Sequence, residues 1–64
     1  MLKTYTIYLR DGGEGTRFEP ALCENDLEAL TRARELLALH AECEAVEVYF
    51  SETYLFHVRR EAKP

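Results

Sequence analysis

At 64 residues the chain has room for one small domain, which folded alone buries only about 60% of the surface its unfolded form exposes, so self-association is a natural supplement to a thin core. Apolar residues make up 47% of the sequence, which argues against disorder, and the formal net charge of −4 argues against non-specific binding to nucleic acid or to an anionic membrane. No apolar run approaches the ~18 residues of a membrane span, and Met1-Leu2-Lys3-Thr4-Tyr5 lacks the basic and apolar regions of a signal peptide; the expectation is a cytoplasmic protein.

Thr4 to Arg10 alternates, with Tyr5, Ile7 and Leu9 on one parity and Thr4, Thr6 and Tyr8 on the other. That period, with its β-branched and aromatic content, predicts a strand. The glycines of Asp11-Gly12-Gly13-Glu14-Gly15 supply positive φ at low cost and predict a turn. A second strand is expected from Thr16 to Cys23, with Phe18 and Leu22 on the core parity. Pro20 between them cannot donate to a ladder, which places this strand at a sheet edge.

Asn25 has the chemistry of a helix N-cap, with Glu28 as its capping-box partner. The helix is expected to run to about Ala41. Its apolar stripe is Leu27, Leu30, Ala33, Leu37 and Ala41, widened by Ala29 and Leu36, and Glu28, Thr31, Arg32, Glu35 and Glu42 lie opposite. Leu39 interrupts the polar side as a singly exposed leucine. Strands from Glu44 to Phe50 and from Tyr54 to Arg60 follow. Residues 1–60 form one domain in this reading, and 61–64 a frayed tail.

Parity bears on the last hairpin. A two-residue loop pairs Phe50 with Thr53 and Val46 with His57, which mixes apolar and charged residues on one face. A three-residue loop, Ser51-Glu52-Thr53, pairs Phe50 with Tyr54, Val48 with Phe56 and Val46 with Val58, and sorts the faces. It also sets Glu47 across from His57 and Tyr49 across from Leu55. The three-residue loop is therefore expected, although Thr53 is a poor residue for its last position.

The order ββαββ, with a sheet order of 2-1-3-4, gives a four-stranded antiparallel sheet with one helix on one face, an α+β two-layer sandwich. The helix is expected over Tyr5, Ile7, Leu9, Phe18, Leu22, Val46, Val48, Phe50, Phe56 and Val58. The opposite face then carries Tyr8, Tyr49 and Leu55 as an apolar centre, rimmed by Glu47, His57, Arg59 and Arg17, with Thr4, Thr6, Glu19, Ala21 and Ala45 around them. An apolar centre with a polar rim is the anatomy of an interface. These seven residues are the expected partner-binding set, for a homodimer or another protein partner.

Other chemistry is weakly represented. Cys23, His40, Cys43 and His57 are able to ligate a metal, but Cys23 and Cys43 flank a helix on the order of 24 Å long. That separation keeps Cys23 out of a site with His40 and Cys43 and out of a disulfide with Cys43. Both read as small buried thiols. His40 suits the last helical turn, where a cation is favoured. His57, paired with Glu47, is the one plausible general base, and a flat sheet face gives it no nucleophile or pocket. The expectation is no enzyme, cofactor, metal or small-molecule substrate. Tyr8 and Tyr49 on an open sheet could stack single-stranded bases, but Glu19, Glu47 and the overall charge oppose phosphate.

The tyrosine-rich first strand followed by Asp11-Gly12-Gly13, then Ala33-Arg34-Glu35-Leu36 in the helix and Val46-Glu47-Val48-Tyr49, resembles small bacterial domains of unknown function of α-proteobacterial type. These are about this long, with strands flanking one helix, and the resemblance spans nearly the whole chain. They usually carry glycine in the last hairpin, from which Ser51-Glu52-Thr53 departs. The order is more loosely similar to HicB-like antitoxins, which begin with three strands where this chain has two; that likeness implies a regulator that binds a toxin.

Overall fold

The structure, a computed structural model, describes residues 1–10 and 16–60. The turn expected at 11–15 and the tail at 61–64 lie outside the described residues. Strands β1 (Lys3–Arg10) and β2 (Thr16–Cys23) precede helix α1 (Asp26–Leu39), and β3 (Ala45–Phe50) and β4 (Thr53–Arg59) follow it. The sheet is antiparallel in the order β2-β1-β3-β4. The expected α+β sandwich is the one observed.

β1 and β3 are the inner strands of the sheet, and their helix-side residues alternate as apolar sets that form the core. Tyr5, Ile7 and Leu9 are buried with Val46 and Val48 of β3 and with Ala29, Ala33, Leu36 and Leu37 of α1. The Tyr5 hydroxyl donates to Asp26 Oδ1 at 2.7 Å, which ties the first turn of the helix to the middle of the sheet. Asn25 caps that turn by accepting from the Glu28 amide at 2.9 Å. The Glu28 carboxylate reaches back to the Glu24 amide at 2.8 Å, one residue before the cap rather than to the cap itself.

The helix ends two residues earlier than expected. His40 is its C-cap, donating its amide to Leu36 O. The cation at this end comes from outside the helix. Arg60, just past β4, donates to the carbonyls of Leu37 (2.6 Å), His40 (3.0 Å) and Cys43 (3.0 Å). The Leu37 oxygen belongs to the last helical turn, which leaves its carbonyls without intrahelical partners, and the His40 oxygen also accepts from the Cys43 amide. The buried stripe is also narrower than the sequence suggests. Leu27 is 69% exposed, because the helix rests on its alanines.

Two expectations about side-chain placement are corrected. β1 pairs with β2 so that Tyr5 faces Ala21, Ile7 faces Glu19 and Tyr8 faces Phe18. Ala21 and Cys23 therefore point to the helix and are buried, while Phe18 and Leu22 lie on the far face, 62% and 66% exposed. The physical reason is proximity. α1 begins three residues after β2, so its Ala29 and Ala33 share one buried cluster with Ala21 and Cys23. Small residues on both elements permit close approach; a phenylalanine or leucine there would hold the helix off the sheet.

The second correction concerns the last hairpin. Phe50 pairs with Thr53, so the loop is the two-residue Ser51-Glu52, and both residues have positive φ (54° and 69°). This is the handedness that two-residue hairpins require. The parity conflict is removed by a bulge in β4, opposite the Val48–Tyr49 step of β3: Tyr49 pairs with Tyr54, Val48 with Phe56, and Leu55 is the unpaired residue. The body of the hairpin keeps the expected register, with Glu47 opposite His57 and Val46 opposite Val58.

Candidate interaction face

The sheet face away from α1 is built by the residues that alternate with the core. On β1 these are Thr4, Thr6, Tyr8 and Arg10; on β2, Phe18, Pro20 and Leu22; on β3, Ala45, Glu47 and Tyr49. The bulge in β4 then decides which side chains complete the face. Bulges re-aim side chains, and here Leu55 packs against the edge of the core with Phe56 and Val58, while Tyr54 pairs with Tyr49 on the open side.

The outcome is a row of rings that crosses the whole sheet. Phe18 on β2 lies 5.7 Å from Tyr8 on β1, Tyr8 is 5.1 Å from Tyr49 on β3, and Tyr49 is 5.5 Å from Tyr54 on β4. The Tyr54 ring stacks on the imidazole of His57 at 6.4 Å. Each neighbouring pair lies within the 4.5–7 Å range of favourable aromatic contact, and the two tyrosine–tyrosine contacts are edge-to-face. Rings that brace one another lose little freedom on binding, which suits them to act as rigid anchors.

Polar groups occupy one end of the face. Arg10 donates to Glu47 Oε1 at 3.0 Å, across the β1–β3 ladder. The Glu47 carboxylate is thus turned to Arg10, and the expected Glu47–His57 ion pair is replaced by a hydrogen bond of 2.6 Å between His57 Nδ1 and the Tyr54 hydroxyl. The hydroxyl donates there when the imidazole carries its proton on Nε2. Arg10, Ala45, Glu47, His57 and Arg59 line a shallow depression of about 250 Å³, open to solvent.

Of the seven residues expected to bind a partner, five share this face: Tyr8, Tyr49, Glu47, His57 and Arg59. Leu55 does not, because it is the bulge residue. Arg17 does not either, because β2 is turned over relative to the expectation. Its guanidinium pairs with Glu42 beyond the helix end at 2.5 Å. That contact raises the Arg17 pKa further, and the Glu42 carboxyl is held below its usual range by its own amide first and by Arg17 second. Glu19 leaves the face with Arg17 and lies 3.9 Å from His40.

Sequence reasoning missed Phe18, Leu22, Tyr54 and Arg10. Two signals for them were present. Ala21 and Cys23, the small residues nearest the helix start, share the parity opposite to Phe18. Ser51-Glu52 as a two-residue loop puts Tyr54 opposite Tyr49.

Cys23 and Cys43 are both free and buried, and burial raises the Cys23 thiol above its ordinary pKa. Among the described residues, three or more His, Cys, Asp or Glu side chains do not gather in a metal-holding arrangement, and no helix is long and apolar enough to cross a membrane. Comparison with protein-family models, with curated proteins and with solved structures finds no match.

Proposed function

We propose that the chain is a small, non-enzymatic interaction domain that docks a protein through its open sheet face. The observation that carries this reading is the aromatic row from Phe18 to Tyr54, flanked by Leu22, with Phe18 and Leu22 more than half exposed. Large apolar side chains gathered on one exposed face mark interaction surfaces, whereas single exposed ones do not. Tyrosine and arginine, which this face combines, are enriched at the energetic centres of protein interfaces.

Stacking of single-stranded bases is the competing use of such a row. Two features weigh against it. The edge-to-face contacts present ring edges as well as faces, and Arg10 is already engaged by Glu47. Phosphate contacts supply most of the affinity in such complexes, and the chain as a whole carries −4.

Site-specific photo-crosslinking in cells tests the proposal. A photoreactive residue at Phe18 or Tyr54 is expected to capture protein, and the same residue at Leu39, exposed on the helix, is not. Capture of nucleic acid from positions 18 and 54, or of nothing, overturns the docking reading.

A further inference from the structure

The open face fits a second copy of the same chain, and we infer a two-fold dimer in which two sheets pack face to face with the helices outside. This inference rests on the reading of the open face as a protein-docking surface and names its occupant.

Charge is the first support. The chain carries −4 in total, so two copies repel over most of their surfaces. Among the described residues the open face carries Arg10, Arg59 and Glu47, which sum to +1. It is not part of the negative surface that keeps two copies apart. An isologous interface must also be complementary to itself, and this face is divided in a way that allows it. The arginines lie at the end where β1 pairs Arg10 with Ala45 and β3 pairs Ala45 with Arg59. The other end presents Thr4 and Leu22, paired with each other. A two-fold axis lying in the interface and crossing the strands sets the charged end of each copy over the uncharged end of its mate. Each strand then lies over the same strand of its mate and the aromatic rows meet near the centre, Phe18 above the partner copy's Pro20, Tyr8 above its Thr6 and Tyr49 above its Glu47. An axis parallel to the strands would instead set the two arginine-bearing ends against each other.

Area is the second support. Four strands spaced about 4.8 Å apart, with roughly seven residues each at about 3.3 Å, present a face of roughly 19 by 23 Å. With side-chain relief this is about 500–600 Å² of accessible surface per copy. A dimer buries about 1,000–1,200 Å² in all, which reaches the ~1,000 Å² that a specific interface needs. Packed sheets lie about 10 Å apart, so the covered rings would become the middle layer of a four-layer α/β/β/α particle.

Sedimentation of the purified full chain, with thermal melts to show that each variant folds, decides the matter. The expected result is a species of twice the 7.4 kDa chain mass at micromolar concentration. Phe18→Asp and Leu22→Asp, at exposed edge positions, each weaken the dimer at least tenfold, and Leu39→Asp on the helix leaves it unchanged. Spin labels at Glu35→Cys, on the outer side of the helix, should lie roughly 30 Å or more apart, given layers about 10 Å thick. A chain that stays monomeric to about millimolar, or a dimer indifferent to Phe18→Asp and Leu22→Asp, overturns the inference. A monomer whose Phe18 and Tyr54 positions still crosslink to a different protein overturns the second copy alone and leaves the docking reading standing. A monomer that captures no protein sinks both.

Discussion

Replacing Ser51-Glu52 by Asn-Gly is expected to stabilise the protein without altering its fold. Both residues sit in the left-handed region, at φ 54° and 69°, where a residue with a β-carbon is disfavoured by about 1–2 kcal/mol. Asparagine tolerates that region better than serine, and glycine occupies it freely. Glycine also gives the unfolded chain more freedom, which offsets about 0.5–1 kcal/mol of the gain. The net stabilisation from Ser51→Asn with Glu52→Gly is therefore about 1–1.5 kcal/mol. For a domain of this size each kcal/mol moves the melting temperature by about 4–8 °C, so the double variant should melt roughly 5–10 °C higher. Circular dichroism melts at matched protein concentration measure this directly, and urea titration should show an unchanged slope with a higher midpoint. Glu52→Val should move the other way, because a β-branched side chain tolerates positive φ least. An unchanged or lower melting temperature for the Asn-Gly variant would mean that the two residues do not hold this turn, and a three-residue loop would return as the better description.

Deleting Leu55 should straighten the hairpin. The pairs Phe50–Thr53, Tyr49–Tyr54 and Val48–Phe56 then follow without interruption, and the chain should fold with its aromatic row intact, losing about 1 kcal/mol for a half-buried leucine; failure to fold would show that the bulge is required. Tyr5 titrates at about 12 instead of its ordinary 10, chiefly because it donates to Asp26 and also because it is buried. The stability this contributes is complete below pH 10 and is lost as pH rises from 10 to about 12, so Tyr5→Phe should flatten the stability profile in that window, as read from urea midpoints. Arg60→Met keeps the aliphatic stem but removes the donors to three carbonyls at the helix end. Hydrogen bonds from a charged group contribute about 1.5–3 kcal/mol when well formed; with solvent screening at this exposed site a loss of about 1–2 kcal/mol is expected, and amide exchange should quicken first at Leu37 to Cys43.

The elements were legible in the sequence because each has a strong local signal. β1 alternates cleanly, Asn25 and Glu28 mark the helix start, and Val46 to Phe50 alternates again. The strand order followed from the crossover and Pro20. Two facts were not local. β2 has apolar residues on both parities, so its period cannot say which set faces inward. That is decided by how closely α1 approaches, which depends on Ala29 and Ala33 in another element. The β4 bulge is a compromise between a tight turn and a sorted face, and parity counting alone offers only the longer loop as an escape. Both misplacements fell on the candidate site. Of the expected set, Arg17 and Leu55 left it, while Phe18, Leu22 and Tyr54 joined it. The face became more apolar and less acidic than the alternation of the strands implied.

That change sharpens the expectation for stability. In a monomer, Phe18 and Leu22 lie more than half exposed and contribute little to folding; substitution at such sites usually shifts stability by no more than about 0.5 kcal/mol. Threonine has good strand propensity, so Phe18→Thr with Leu22→Thr should melt at nearly the wild-type temperature if nothing covers the face. In a dimer, folding and association are linked, and the melting temperature depends on concentration. Raising the concentration a hundredfold stabilises the dimer by about 2.7 kcal/mol. Unfolding the two chains gains about 0.27 kcal/mol per kelvin of entropy, so the wild-type melt should move up by roughly 10 °C over that range. The double threonine variant should melt lower than wild type at high concentration, converge on it at low concentration, and lose most of the dependence. A wild-type melting temperature that stays fixed across the hundredfold range would show that these two side chains face water in the folded protein, and that one helix over one sheet face is all the burial the chain has.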